Sequence, residues 1–69
     1  MDLDIRKAVI NNMTNASGQD VLTTINDSTT TNEEKVLPGL GVLLEIYWKA
    51  ASPDDKTRIC ELIASQLRQ

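Results

Sequence analysis

The chain has 69 residues, of which 41% are hydrophobic and 25% charged, and its formal net charge is −3. This composition is typical of one small globular domain; it excludes a disordered chain and argues against specific DNA binding. Histidine is absent and Cys60 is the only cysteine, which excludes structural zinc, an internal disulfide and a histidine-based active site.

Two helices are predicted in the first half of the chain. A helical repeat of apolar residues that starts at Ile5 predicts helix 1 over about residues 2–13, with Asp2 as its N-cap. Ser17 is a suitable N-cap for helix 2, since an acidic residue follows it in the first turn. The far end of helix 2 is rich in threonine, whose hydroxyl competes for backbone hydrogen bonds, so we expect this helix to fray before Asn32.

A change of direction is predicted in the middle of the chain. Thr31 is expected to cap a short helical turn that ends at Leu37, because a residue before proline is disfavoured in the α region. Pro38 and Gly39 then supply the fixed φ and the positive φ that a type II turn needs. Gly41 would let the backbone approach a neighbour closely.

The most apolar stretch, about residues 40–51, predicts helix 3 as the centre of the fold. Its only charged residues are Glu45 and Lys49, at the spacing of an i,i+4 ion pair. We therefore predict an all-α fold: a single domain over residues 1–69, built as a small bundle of three to four short helices around this central helix, with the Pro-Gly turn before it.

Helix 4 is predicted from Ser52 almost to the end of the chain. Ser52 is an N-cap residue and Pro53 suits the first helical position, with acidic residues after it. Cys60 is expected to be a half-buried apolar residue, with oxidative dimerisation as the alternative. The apolar stripe of this amphipathic helix consists of Ile59, Leu62, Ile63 and Leu67.

Helix 3 has more apolar surface than the other helices are expected to cover. Val42, Ile46 and one edge of Trp48 form a candidate interaction surface, because helix 2 offers little apolar surface to hide them. The alternative is that Trp48 completes the core against helices 1 and 4. Helices 1 and 4 are expected to cover the face formed by Leu40, Leu43, Leu44, Tyr47 and Ala51.

Two segments resemble the minor small acid-soluble spore protein I family of endospore-forming bacteria. The first is MDLDIRKAVI at residues 1–10, which resembles the start of that family. The second is EEKVLPGLGVLLE at residues 33–45, followed three residues later by Trp48, which resembles its central segment. The resemblance extends over nearly the whole chain.

The resemblance implies a non-enzymatic protein that is made in the forespore and stored in the spore core. It implies no cofactor and no catalytic residues, and the residues themselves indicate no metal site, small-molecule substrate or membrane segment. The leading hypothesis is a structural or interaction protein whose partner is another spore protein or, weakly, a second copy. The alternative is a nucleic-acid-associated spore protein, although the scattered basic residues argue against it.

Overall fold

The computed structural model describes residues 4–68. These residues form four α-helices and one short 3₁₀ helix, and no strand occurs among them. This confirms the predicted all-α class. Asp2, the predicted cap of helix 1, lies outside the described residues. The elements are α1 (Ile5–Asn12), α2 (Gly18–Thr30), the 3₁₀ helix (Glu34–Val36), α3 (Leu37–Ala50) and α4 (Pro53–Leu67).

Asparagines occupy the left-handed positions in the first two connections of the chain. Asn15 has a φ of 65° between α1 and α2, and Asn32 has a φ of 64° between α2 and the 3₁₀ helix. Asparagine tolerates this conformation better than most residues, because its short polar side chain can hydrogen-bond locally. The glycines in the described range all have negative φ.

The predicted type II turn at Pro38 and Gly39 is wrong, because both residues lie in the first turn of α3. Leu37 has helical angles, with φ −61° and ψ −41°. Since Pro38 has no N–H to donate to the carbonyl of Glu34, that carbonyl accepts from the N–H of Leu37 instead. This is a 3₁₀ hydrogen bond, and a proline in the first helical turn is compatible with it. The central helix therefore begins at Leu37 rather than at residue 40.

Gly39 and Gly41 are ordinary helical residues of α3. A β-carbon built at Gly39 would lie 3.8 Å from Cγ2 of Val9, which is a normal van der Waals distance. A β-carbon built at Gly41 would meet no neighbouring atom within 4 Å. The close backbone approach expected at Gly41 is therefore also wrong.

Ser17 is the N-cap of α2, as predicted, and it forms a capping box with Asp20. The side chain of Ser17 accepts from the N–H of Asp20 at 3.0 Å, and the carboxylate of Asp20 accepts from the N–H of Ser17 at 3.1 Å. The helix ends at Thr30, which confirms that it stops before Asn32. Thr31 does not cap the 3₁₀ helix; its hydroxyl donates back to a carbonyl of α2.

The predicted start of α4 is confirmed. Its N-cap is Ser52, whose hydroxyl accepts from the N–H of Asp55 at 3.1 Å, and Pro53 occupies the first helical position. The connection from α3 consists of Ala51 and Ser52, both with extended backbone. The helix ends at Leu67.

The central position of α3 is confirmed, but α4 is not packed as expected. Closely packed pairs of described elements all include α3, whose neighbours are α1, α2 and the 3₁₀ helix. Among residues 4–68 only Val42 is buried. The chain exposes 5739 Å², about half of what an unfolded chain of this mass exposes, whereas a domain of this size usually hides about 60%. The hydrophobic core is therefore small.

Candidate interaction surface on α3 and α4

Val42 cannot belong to an exposed surface, because it is only 8% exposed. It lies beside Ile5 and Arg6 in the seam between α1 and α3. The same side of α3 carries Gly39 and Glu45, one turn before and one turn after Val42, and both of these residues also face α1. The prediction that Val42 is an interaction residue is thus wrong, since α1 packs on this side of α3.

An ion pair fixes α1 against α3. Nε of Arg6 donates to Oε1 of Glu45 at 2.7 Å, and Nη2 donates to Oε2 at 2.9 Å. These hydrogen bonds favour the charged carboxylate, so the pKa of Glu45 is lowered, and the pKa of Arg6 is raised. Lys49, the partner expected from sequence, contributes only its nearby charge. The partner of Glu45 was missed because it lies 39 residues away in the chain.

An open apolar groove of about 600 Å³ lies on the other side of α3. It is lined by residues just after α1, by two residues of α2, by five of α3 and by one of α4. We call this surface the apolar groove. Its principal residues are Met13, Val21, Ile25, Leu40, Leu43, Leu44, Ile46, Tyr47 and Ile59.

The apolar stripe of α4 continues from this groove into solvent. Ile59 lines the groove, and Ile63 and Leu67 follow it one and two turns later on the same side of the helix. Ile59 is half-buried, whereas Leu62 is 64%, Ile63 49% and Leu67 73% exposed. We call Ile59, Leu62, Ile63 and Leu67 the α4 stripe. Beyond Ile59, the described chain leaves this stripe largely uncovered.

Trp48 lies beside the first turns of α4. Nζ of Lys56 is 5.4 Å from the centroid of the Trp48 ring, which is the distance of a cation–π contact. Trp48 is 39% exposed and Ile46 is 46% exposed, so these two members of the predicted surface are accessible. Cys60 is exposed beside Trp48, which corrects the expectation that it is half-buried.

The surface of the groove and the α4 stripe is mainly apolar. Within residues 4–68, no cluster of three or more histidine, cysteine or acidic side chains could hold a metal ion. No helix in the same range is both long enough and apolar enough to cross a bilayer. What the site presents is the apolar groove, the α4 stripe and the accessible edge of Trp48.

Comparisons with known proteins show the family. The sequence model of the family "Small, acid-soluble spore protein I" matches residues 3–67. The protein of that name from Bacillus licheniformis is 44% identical over 99% of this chain and 97% of its own length. Those from Halalkalibacterium halodurans and Bacillus subtilis are each 41% identical over 99% of this chain, with 100% and 96% of their own lengths covered. No solved structure matches with statistical significance.

The family match extends over nearly the whole chain. The relatives are matched over nearly their whole length, and their name is that of the family. The family match includes both segments on which the resemblance was based, apart from the first two residues. This chain belongs to the small, acid-soluble spore protein I family.

Proposed function

We propose that this protein is a non-enzymatic structural or interaction protein of the spore core, made in the forespore, and that it acts by binding another protein through the apolar groove and the α4 stripe. Its membership in a spore protein family supports the setting. The observation that carries the interaction role is the exposure of the α4 stripe, in which Leu62 and Leu67 are 64% and 73% exposed.

Exposed apolar surface of this extent is uncommon on a small monomer. Single exposed leucines are ordinary, but here the exposed residues lie on consecutive turns of one helix and join an apolar groove. Covering such a surface removes roughly 25 cal/mol of unfavourable hydration per Å² of apolar area. A protein partner with a complementary apolar face supplies that cover.

The basic residues support a protein partner over a nucleic acid. Arg6 is held by Glu45, Lys35 lies 3.5 Å from Glu33, and Lys56 lies over Trp48. Three of the seven basic side chains thus have acidic or aromatic neighbours within the chain, and the net charge of −3 opposes the attraction of phosphates. Salt-sensitive binding to DNA in a mobility-shift titration would favour the nucleic-acid alternative.

The setting is tested with an antibody against the protein. The antibody is applied to vegetative cells, to forespores and to purified spores separated into coat and core fractions. We expect the protein to accumulate in the forespore during sporulation and to be recovered from the core. Its recovery from the coat fraction or from vegetative cells would contradict the proposed location.

The interaction role is tested in the same core extract under native, reducing conditions. The wild-type protein is expected to migrate as a complex larger than 7.6 kDa. A strain with Leu62→Glu and Leu67→Glu should yield the monomer, because the two charges would lie in the apolar contact with the partner. The variant should still fold, since both side chains are exposed in the single chain. A wild-type protein that migrates as a monomer would contradict the role.

A further inference from the structure

The accessible area of the chain is too large for a compact monomer. A compact protein of this mass exposes about 4,300 Å², whereas this chain exposes 5739 Å². If residues 1–3 and 69 are given the full area of an unfolded chain, an excess of roughly 900 Å² still remains for the rest. A standard protein interface hides about 800 Å² on each partner. The excess on one chain therefore matches one side of such an interface.

The two parts of the uncovered surface are complementary in form. The apolar groove is a concave surface, and the α4 stripe is a row of apolar side chains along a helix. The spacing of Ile59, Leu62, Ile63 and Leu67 is that of helices that bind in grooves through one apolar face. One chain thus carries both a groove and a helix that suits it, which is the condition for a symmetric pair in which each copy binds the other.

Within one chain the groove and most of the stripe do not meet. The first turns of α4 are held beside α3, where Lys56 lies over Trp48 and Ile59 reaches the groove. The three residues of the stripe beyond Ile59 are all exposed. The connection between α3 and α4 is only Ala51 and Ser52, which is too short to let the rest of α4 turn back into the groove of its own chain. The groove is therefore open to a helix from another molecule.

We propose that the protein forms a two-fold symmetric homodimer in which the α4 stripe of each copy lies in the apolar groove of the other. This inference rests on the proposed function, because it names the partner that occupies the same surface. A second copy fits this surface, because the excess area of each chain equals about one side of a standard interface and this sequence contains both the groove and the stripe.

Sedimentation equilibrium of the purified full chain, in reducing buffer from about 1 to about 500 μM, tests the dimer. We expect twice the monomer mass at the upper concentrations. Leu62→Glu with Leu67→Glu should weaken the dimer by at least about 100-fold, since each change occurs twice in a symmetric pair. Ser65→Glu is the control for an added charge: it places one negative charge near the end of α4 but outside the stripe, and the dimer should persist.

A mixing experiment tests the reciprocal arrangement. Leu44→Lys alters the groove and Leu67→Glu alters the stripe, so each variant alone should be monomeric. In a mixed pair, one of the two sites combines both changed residues with opposite charges, while the other site is unaltered. A dimer that forms only on mixing supports the exchange of α4. Two variants that stay monomeric when mixed would overturn it.

Several results would reject the homodimer. A wild-type monomer at the highest concentration rejects it, as does a dimer that survives the changes in the stripe. A dimer that disappears with reductant or in Cys60→Ser is a disulfide product and also rejects it. If the purified protein is monomeric but migrates as a complex in the core extract, the homodimer fails and the proposed interaction role stands. If the purified protein dimerises but is absent from the core, the proposed location fails and the dimer stands.

Discussion

Arg6 and Glu45 join α1, the helix that packs most closely on the centre of the fold, to α3. Their hydrogen bonds are bidentate and charge-assisted, a geometry that lysine in place of Arg6 could not reproduce. The pair lies at the surface, where water and salt weaken the attraction. Its main effect is to fix the position of α1 along α3 rather than to supply much of the stability.

The pair predicts a dependence of stability on pH. The pKa of Glu45 is lowered in the folded chain, mainly by the hydrogen bonds from Arg6. The contribution of the pair is therefore present above the unfolded-state pKa of about 4.3 and is lost as the pH falls through the lower folded-state value. Between about pH 6 and about pH 3, the urea midpoint should fall more for the wild type than for Glu45→Gln. Arg6→Gln is the control and should flatten the pH profile in the same way; parallel profiles for all three proteins would contradict the prediction.

Gly41→Ala is predicted to stabilise the protein. Gly41 has helical backbone, and an added β-carbon meets no neighbouring atom within 4 Å. Replacing a helical glycine by alanine gains up to about 1 kcal/mol of unfolding free energy. Thermal unfolding followed by circular dichroism measures the change. Gly39→Ala should act in the same direction, since its β-carbon makes only a normal contact with Val9. A lower melting temperature for both variants would contradict the helical conformation of these glycines and would favour the type II turn predicted from the sequence.

At the scale of helices, the starts of α2 and α4 are set by local chemistry and could be predicted from the sequence. Ser17 and Ser52 cap α2 and α4 as predicted, because both hydroxyls accept from an N–H three residues later. The Pro38-Gly39 pair is compatible with both a type II turn and the first turn of a helix. The sequence alone favoured the turn. In the structure the N–H of Leu37 donates to the carbonyl of Glu34, and this 3₁₀ hydrogen bond allows the helix to begin before Pro38.

Ser52→Ala is predicted to cost about 1 kcal/mol of helix stability, because the N–H of Asp55 loses its acceptor. Since α4 packs on the rest of the chain mainly through its first turns, the loss should affect this helix more than the whole fold. Circular dichroism should show reduced helix content for Ser52→Ala. The matched variant Ser52→Asp keeps an acceptor at this position and should retain the wild-type signal; equal loss in both variants would show that the cap is unimportant.

At the scale of the whole molecule, the packing could not be predicted from sequence. Helix 3 is apolar on nearly all sides, so its pattern does not reveal which side α1 covers. The side that α1 covers carries Gly39, Val42 and Glu45; Arg6 of α1 binds Glu45 there, and Val42 is buried. Trp48 and Ile46 remain accessible, and Leu62 and Leu67 of the α4 stripe are the most exposed of the large apolar side chains in the described range.

Amide hydrogen exchange should distinguish the two parts of the molecule. In dilute, reducing solution, α4 is expected to exchange faster than α3, because its last turns have few apolar contacts. Raising the protein concentration should slow exchange in α4 and in the helices around the apolar groove together. Protection of α4 that equals that of α3 at every concentration would mean that the chain covers the stripe by itself.

The most direct test of the exposed α4 stripe as an interaction surface is photo-crosslinking in intact spores. A benzophenone amino acid is placed at residue 67, which is 73% exposed in the single chain, and at residue 65 as the control on another side of α4. The predicted result is a strong adduct from residue 67, with twice the mass of the chain if the partner is a second copy, and a weak one from residue 65. An absence of adduct at residue 67, or equal yields at both positions, would contradict the role of this surface.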